Sequence, residues 1–197
     1  MVLLERAPDK SRERWQLPWR PLRPDETIDD EAARLARKTL GTAPALVEQV
    51  GAFGDGRRHP SGAGLSVAFL ALIDEERGAA VEGDASWHAV EDLPALPPRQ
   101  RAMVDGVLAS LRTRLDQAPI AFHLLPSTFT LTQLQQIYEL LLRRRLHKAS
   151  FRRSLHAAWL VEPTDEWRSE GRGRPAQLFR YAPKKRRGGR RGVRFAL

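Results

Sequence analysis

The front half of the chain alternates between strand-like and helix-like patterns of hydrophobic and polar residues. Residues 2–4 form a short apolar run, and residues 65–73 (LSVAFLALI) form a nearly continuous one between glycine-rich and charged segments. Apolar runs of this length are typical of buried strands, and a further short strand is expected at 87–90. Residues 15–24 contain three prolines, which predicts a loop there.

A helix is predicted at 26–40, where apolar or small side chains recur at helical spacing and Gly41 provides a stop. Its charges are sorted along the chain, with acids from Asp25 to Glu31 first and Arg34, Arg37 and Lys38 last. Two interpretations are open from this pattern alone. The acids form a metal-binding carboxylate cluster, or the charges only complement the dipole of the helix.

A second helix is predicted at 99–115, because its large apolar residues fall on one helical face. These residues are Met103, Val107, Leu108, Leu111 and Leu115. The proline-rich segment 91–100 before this face is expected to end a domain. Residues 117–128, which include Pro119 and Pro126, are expected to form a linker.

The back third predicts a helix, a turn, a second helix and a hairpin. Thr130 or Thr132 is expected to cap the first helix, and the basic turn RRRLHK follows at 143–148. Ser150 is expected to cap the second helix at 151–161, and Pro163 to end it. Residues 167–183 then predict two strands around a Gly/Arg/Pro tip. This order of elements is that of a winged helix.

Both helices of this predicted winged helix are amphipathic. The inward face of the first is expected to carry Leu134, Ile137, Tyr138, Leu141 and Leu142. The inward face of the second is expected to carry Phe151, Leu155, Ala158 and Trp159. Arg152, Arg153 and His156 are expected to face outward from the second helix, which leaves cations available to a partner.

The charge of the chain is unevenly distributed. The whole chain carries a net charge of +9, but residues 141–197 hold 17 Lys and Arg against 4 Asp and Glu, while residues 1–140 are slightly acidic. A basic third behind an acidic front indicates a polyanion-binding module, most simply one for nucleic acid. The chain has no cysteine, which excludes thiol nucleophiles and disulfides. Without a membrane span or signal peptide, a cytoplasmic location is expected.

Double-stranded DNA is the predicted partner of the basic third, because the second helix and the hairpin place cations where a duplex could meet them. The predicted DNA-binding residues are Thr130, Thr132, Lys148, Ser150, Arg152, Arg153, Arg172, Arg174 and Gln177. RNA is disfavoured because no aromatic-rich strand offers a stacking platform. The alternative is that the arginines form a solvated helix face and the basic tail 184–197 only increases solubility.

The stretch FTLTQLQQIYELLLRRRLHKASFRRSLHAAWLVEPTDEWRSEGRGRPAQLFRYAP resembles the C-terminal winged helix of the Nudix-related transcriptional regulators. Its most specific segments are FRR…L…W-L-V-E-P and GRGRPAQLFRY, and the resemblance covers residues 117–183. Members of that bacterial family join a Nudix-like sensor domain to this module, and several regulate NAD or sugar metabolism. The resemblance therefore implies a transcriptional regulator, expected to be a repressor.

The front half is similar to a Nudix domain in the segments 2–18, 23–41, 51–73 and 87–94. Active Nudix hydrolases hold divalent metal with glutamates on the helix. Aligned on Glu26 and Gly41, this chain keeps Glu26 and Arg34, but has Leu35, Lys38 and Thr39 at the catalytic positions and Arg20 at the preceding glycine position. The resemblance therefore implies a domain without catalytic or metal-binding residues, whose helix has charges sorted along its dipole.

An effector site is implied by the same resemblance, with no cofactor. The predicted ligand-binding residues are Arg20, Phe53, Asp55, Arg57 and Arg58, and the expected effector is a nucleotide or sugar phosphate such as ADP-ribose. Trp15 and Trp19 are further candidates for stacking on a base. The alternative is an exposed basic loop beside aromatic residues of the core, and none of the five histidines shows ligand-like pairing.

The predicted architecture is an α/β Nudix-like sandwich at 1–116, a winged helix at 117–183 and a basic tail at 184–197. Family members have a strand before residues 2–4, so either the chain begins late or the sheet lacks its first strand. A shortened sheet edge favours a homodimer, which would bind a palindromic operator. Two rivals are a pyrophosphohydrolase using Asp55, Glu75 or Glu76, and a non-specific nucleoid protein that binds through its tail.

Overall fold

The chain divides into two compact units, Met1–Val107 and Leu108–Leu197. The computed structural model describes residues 1–8, 15–54, 59, 61–74, 81, 84–115, 120–169 and 175–182. The predicted basic tail, the hairpin tip at 170–174 and the loop at 55–58 lie outside the described residues.

The first unit contains two antiparallel sheets. Strands β1 (Val2–Arg6), β2 (Trp15–Gln16) and β5 (Ala85–His88) form one sheet in the order β2-β1-β5, with Val2 opposite His88. Strands β3 (Leu46–Phe53) and β4 (Ser66–Leu72) form the other. The apolar runs at 2–4 and 65–73 are thus strands as predicted, and Leu4 and Leu72 are buried in the core.

Helix α1 (Ile28–Leu40) begins and ends where its sequence signals require. The Thr27 hydroxyl accepts a hydrogen bond from the backbone N–H of Asp30 at 3.2 Å and caps the helix. Gly41 ends it in the left-handed conformation, with φ of 68°, which glycine adopts without steric cost. Acids occupy the first turn and Arg37 and Lys38 the last, so the charges do complement the dipole.

Helix α2 (Pro98–Arg114) confirms the prediction of a helix at 99–115. Met103, Leu111 and Leu115 of its predicted apolar face are buried. Two polar side chains at its start, Arg99 and Gln100, are also buried, which the apolar pattern did not indicate. A short 3-10 helix at Val90–Asp92 precedes it, so the strand predicted at 87–90 ends at His88.

The second unit has the arrangement of a winged helix. Helices α3 (Leu131–Leu142) and α4 (Lys148–Ala158) precede a hairpin of β7 (Val161–Arg168) and β8 (Ala176–Tyr181). A two-residue strand β6 (Thr128–Phe129) pairs with β8, giving the sheet order β6-β8-β7. The large buried side chains of this unit include Phe129, Leu134, Tyr138, Phe151, Leu155 and Leu178.

The prediction of a linker at 117–128 is wrong for the described residues from 120 onward. Ile120–Leu124 forms a 3-10 helix, and Ile120, Ala121, Phe122 and Leu125 are buried. The Phe122 ring packs against Phe129 at 5.7 Å and Tyr181 at 4.5 Å between ring centroids. Because most of the residues between the two prolines are apolar, burial is favoured over a solvated connection.

Three details of α4 also differ from the sequence prediction. The helix begins at Lys148 with His147 as N-cap, so Ser150 lies within the first turn and is not the cap. Trp159 ends the helix in the left-handed conformation and is 55% exposed instead of facing inward. Pro163 does not end the helix but lies in β7, an edge strand, where a proline costs no essential ladder hydrogen bond.

One short strand lies where a loop was predicted. Trp15 and Gln16 pair with Arg6 and Glu5 as β2, while the rest of the proline-rich segment 15–24 is irregular. Trp15 and Gln16 precede the first proline, so both can form ladder hydrogen bonds with β1. The prolines that follow cannot donate to a ladder, and the strand ends before them.

Candidate functional site

The first helix of the winged helix is fixed by a capping box. The Thr130 hydroxyl accepts from the backbone N–H of Gln133 at 3.1 Å, and the Gln133 side chain accepts from the backbone N–H of Thr130 at 2.8 Å. Thr130 was predicted both as a cap and as a DNA contact, and its side chain lies buried in the capping role. Thr132, predicted as the other DNA-binding threonine, is exposed in the first turn of α3.

The turn between α3 and α4 is held by one carboxylate that the sequence interpretation missed. Glu139 accepts hydrogen bonds from the backbone N–H of Leu146 at 2.8 Å, from Gln135 Nε2 at 2.9 Å and from the Arg145 guanidinium at 3.4 Å. The same Gln135 nitrogen donates to the carbonyl of Leu146 at 3.0 Å. These contacts fix the turn that orients α4, and the i, i+4 spacing of Gln135 and Glu139 is the signal that could have revealed them.

The pKa of Glu139 is held below its usual value by this arrangement. The largest cause is the hydrogen bond from Gln135, followed by that from the Leu146 backbone, while the cation of Arg145 contributes less. All three favour the charged carboxylate. The turn is therefore built around an ionised Glu139.

Helix α4 brings four of the predicted DNA-binding residues onto one outward surface. Phe151 and Leu155 are buried and anchor the opposite face, and the Phe151 ring packs edge-on against Tyr138 at 5.5 Å. The exposed residues of the surface are Lys148, Ser150, Arg152 and Arg153. Lys148 and Arg152 are four residues apart and thus neighbours on the helix, so their positive charges reinforce each other.

Three DNA-binding residues were predicted on the hairpin, and one of them, Gln177, lies within the described part of the chain. Gln177 on β8 is half-buried and donates through Nε2 to the carbonyl of Thr164 at 3.2 Å, and the Thr164 hydroxyl donates to the carbonyl of Leu178 at 3.0 Å. Gln177 thus stabilises the hairpin near its tip. Arg172 and Arg174, predicted to contact DNA, lie outside the described residues.

A cavity of about 280 Å³ opens beside α1 in the first unit. The residues that line it are Arg20, Pro21, Arg23, Glu26, Glu31, Arg34, Leu35 and Lys38. Arg34 donates to Glu26 at 2.5 Å and to Glu31 at 2.6 Å. The hydrogen bond from Arg34 is the largest cause that lowers the pKa of Glu26.

The cavity does not suit a divalent cation. Its two carboxylates already share one guanidinium, and Lys38 lines the same space. An ammonium group repels a metal ion and offers no lone pair. Among the residues that the structure describes, no group of three or more His, Cys, Asp or Glu side chains converges on a point.

The predicted ligand-binding residues are not all brought together. Arg20 lines the cavity. Phe53 is not among the lining residues, and its ring lies so close to Gly106 that a methyl group there would approach it to 3.3 Å. Asp55, Arg57 and Arg58 lie outside the described residues. Arg23 and Glu31 line the cavity but were not predicted as ligand-binding residues.

The two tryptophans proposed for stacking are engaged within the first unit. Trp15 lies under the Arg6 guanidinium at 4.8 Å and packs edge-on against His88 at 4.6 Å. Trp19 packs edge-on against His59 at 4.8 Å. These contacts support the alternative in which both rings have structural roles.

A buried polar network also lies in the first unit. The Gln100 side chain accepts from the backbone N–H of Leu17 at 2.7 Å, which directs its Nε2 donor toward His59 Nε2 at 3.1 Å. His59 Nδ1 lies 2.9 Å from the hydroxyl of Ser61. Burial, and secondarily the charge of Arg99, lower the pKa of His59, which favours the neutral ring that this network requires.

Comparison with known proteins decides between the interpretations of the second unit. The family model of the NrtR DNA-binding winged helix domain matches residues 121–181. The chain is 29% identical over 189 residues to the ADPR responsive transcriptional repressor NtrR of Acinetobacter baylyi, which covers 92% of this chain and 75% of that protein. Residues 121–181 are thus similar to the NrtR DNA-binding winged helix, and the matches support the interpretation of the chain as an NrtR-like transcriptional regulator.

Solved structures match nearly the whole chain. Shewanella oneidensis NrtR complexed with a 27mer DNA matches with a TM-score of 0.79 at 25% identity, covering 92% of this chain and 86% of that one. Shewanella oneidensis NrtR matches with a TM-score of 0.77 at 24% identity and the same coverages. These matches confirm the predicted fold class, a Nudix-like α/β domain followed by a winged-helix DNA-binding domain.

The comparisons support the regulator interpretation over the pyrophosphohydrolase alternative. It also accounts for the uneven charge, because the NrtR-like winged helix coincides with the basic third of the chain. None of the helices in the described part of the chain has the length and hydrophobicity that crossing a membrane requires.

Proposed function

We propose that the protein is a repressor that leaves its operator when the first unit binds a nucleotide effector such as ADP-ribose. The observation that carries the proposal is the relative that is named an ADPR responsive transcriptional repressor and matches 92% of this chain. The exposed cations of α4 support the DNA-binding part, and the cavity beside α1 supports the effector-binding part. NAD or sugar metabolism is the expected field of regulation.

In this proposal α4 is the recognition helix and enters the major groove of the operator. Helix-turn-helix proteins usually contact base edges with the N-terminal residues of this helix. Lys148, Ser150 and Arg152 occupy that end of α4 and are exposed. Thr132, Arg153, Gln177 and the hairpin arginines 172 and 174 complete the proposed interface.

The protein is proposed to act as a homodimer on a palindromic operator, since paired winged helices read paired half-sites. Effector binding would change the spacing of the two recognition helices and weaken operator binding. Such a change requires that the effector bind the two conformations with different affinity. The cytoplasm is the expected location, because the operator of a bacterial regulator is on the chromosome there.

The first unit is proposed to bind its effector without hydrolysing it. The support is that Arg34 occupies both carboxylates of the cavity and that Lys38 lines the same space. Pure protein incubated with ADP-ribose and Mg²⁺ is expected to leave the nucleotide intact. Sustained release of AMP and ribose phosphate would contradict this part of the proposal.

The experiment that tests the proposal is a mobility shift with DNA from upstream of the gene, against random competitor DNA, at two salt concentrations. We expect sequence-selective binding that survives the higher salt and that ADP-ribose abolishes. If random DNA competes equally and salt dissolves the complex, the binding is only electrostatic and the repressor proposal fails. If binding is selective but ADP-ribose has no effect at any concentration, the effector assignment fails alone.

A further inference from the structure

The cavity beside α1 has an excess of positive charge that its described lining residues do not neutralise among themselves. Four cationic side chains line it against two carboxylates, and Arg34 bridges both carboxylates. Arg23 lies 3.9 Å from Glu26 in a looser contact. Within the described part of the chain, Arg20 and Lys38 form no salt bridge, and both side chains are exposed at the cavity.

One further carboxylate lies within electrostatic range of these two cations. The pKa of Glu5 is raised because burial outweighs three opposing influences, namely its hydrogen bond from Gln16 and the charges of Arg20 and Lys38. Gln16 Nε2 holds the Glu5 carboxylate at 3.0 Å, and Glu5 does not line the cavity. Within the described residues Glu5 forms no salt bridge with Arg20 or Lys38, so both cations remain available to an external anion at the cavity.

The chemistry of the lining selects a phosphate-type anion. A concave site with an excess of one sign of charge concentrates counter-ions of the other sign. A guanidinium matches the oxygens of a phosphate with two parallel hydrogen bonds, and an ammonium binds phosphate as a point charge. Arg20 and Lys38 supply one group of each kind, so two adjacent phosphates could be neutralised without a metal ion.

The size of the cavity limits how much of a ligand can enter. Pockets that enclose a whole drug-sized ligand measure about 300–1,000 Å³, and this cavity, at about 280 Å³, is just below that range. Among the described residues that line it, Pro21 and Leu35 are the only apolar ones, and none is aromatic and able to offer a ring face to a base. The cavity therefore suits a diphosphate group, with the remainder of a larger ligand outside it.

We propose that this cavity binds the diphosphate group of the effector without a divalent metal, and that Arg20 and Lys38 supply the charge that metal ions supply in diphosphate-hydrolysing sites. The identity of the effector as a nucleotide rests on the proposed function. The preference for a diphosphate rests on the cavity alone. Inorganic pyrophosphate is therefore the probe that tests the diphosphate preference of the cavity separately from the identity of the effector as a nucleotide.

The test is a calorimetric titration of inorganic pyrophosphate into the full-length protein, in EDTA and again in excess Mg²⁺. We expect binding in EDTA that Mg²⁺ does not strengthen. Lys38→Gln and Arg20→Gln should each weaken binding by roughly tenfold or more, the effect of losing a charge-assisted contact. Arg37→Gln is the matched control, because Arg37 is exposed on the same helix turn but does not line the cavity.

Three outcomes would overturn the inference. These are an absence of pyrophosphate binding, binding that requires Mg²⁺, and equal weakening by Arg37→Gln and Lys38→Gln. Thermal unfolding midpoints of the three variants are measured in parallel. Because all three side chains are exposed, we expect midpoints close to that of the parent chain, so that a loss of binding reports on the cavity.

Failure of this inference and failure of the proposed function give different results. If ADP-ribose releases operator DNA equally from the parent chain and from Lys38→Gln, the proposed function stands and the cavity inference fails. If pyrophosphate binds in EDTA through Lys38 while ADP-ribose leaves the DNA complex intact, the cavity inference stands and the effector assignment fails.

Discussion

At the scale of single residues, charge and exposure decide what each cation of the winged helix can do. Arg152 and Arg153 are exposed on α4, as the outward face of the helical pattern predicted. Arg180 is also exposed, but it contacts Glu162 at 3.3 Å across the hairpin. An arginine with a protein carboxylate beside it must exchange that contact for a phosphate, so the α4 arginines are better placed to bind DNA.

Arg152→Ala is expected to weaken operator binding by roughly 1–3 kcal/mol, if its guanidinium contacts base edges. The measurement is a titration of operator and of random DNA with the same protein. An equal loss on both DNAs would assign Arg152 to the phosphate backbone instead. Arg37→Ala, an exposed arginine on α1 of the first unit, is the control and should leave both affinities unchanged.

The two threonines at the start of α3 differ in role although they are only two residues apart. Thr130 is buried and caps the helix, whereas Thr132 is exposed. Thr130→Ala should lower the free energy of unfolding by about 1 kcal/mol. Thr132→Ala should change that free energy little and instead weaken operator binding.

Denaturant unfolding without DNA, followed by operator titration, measures both effects of the threonine substitutions. If Thr132→Ala destabilised the fold as much as Thr130→Ala, the capping role would not be confined to Thr130. If Thr132→Ala left operator binding unchanged, Thr132 would not be a DNA contact.

At the scale of secondary-structure elements, the position of α4 depends on the turn before it. The carboxylate of Glu139 accepts from Gln135 and from the Leu146 backbone, which joins the body of α3 to the start of α4. The sequence showed a basic turn here, but not that an acid from the previous helix holds it. Periodicity indicates which faces are apolar and contains no information about which carboxylate closes a turn.

The hydrogen bonds to Glu139 make stability depend on pH. Because the pKa of folded Glu139 lies below the ordinary value of a glutamate, its stabilising contribution is present above that ordinary value and is lost as pH falls through the lower folded pKa. The unfolding midpoint of the parent chain should therefore fall with acidification in this window. The unfolding midpoint of the Glu139→Gln variant should fall less steeply over the same pH window.

Thermal unfolding of both proteins across the acidic range checks this expectation. Glu166→Gln, an exposed acid on β7, is the control and should follow the parent curve. Parallel curves for the parent chain and Glu139→Gln would show that Glu139 does not contribute to the acid dependence.

At the scale of the whole molecule, two compact units with a winged helix in the second are followed by a basic tail. The tail at 184–197 carries only basic and neutral residues, and it would add phosphate contacts without reading sequence. The NrtR-like winged helix matched at 121–181 ends before it. Selectivity is therefore expected to come from the winged helix and part of the affinity from the tail.

Deletion of residues 184–197 should weaken binding to operator and to random DNA by a similar factor and reduce the salt dependence of both. The preference for operator over random DNA should remain. Titrations at several salt concentrations with the parent and truncated chains measure both quantities. Loss of all DNA affinity on truncation would support the rival in which the tail of a nucleoid protein does the binding.

Much of the architecture followed from local sequence signals. The helix predicted at 26–40 with Gly41 as its stop is α1, and the buried strand predicted at 65–73 and the order of the winged helix were also read from periodicity and turn residues. These features depend on neighbours along the chain, which a sequence shows directly. The start of α4 and the exposure of Trp159 were missed because His147 makes no side-chain cap and Trp159 stops the helix without a glycine.

The sequence by itself determined the fold class and the DNA-binding module, and it places Leu35, Lys38 and Thr39 on the helix α1. Only the tertiary structure decided that Arg34 bridges Glu26 and Glu31, that Arg20 and Lys38 line one cavity, and that residues 120–125 are core. The physical reason is that caps, periodicity and charge order are local along the chain. A cavity and a shared ion pair depend on distances between side chains that only the folded backbone brings together.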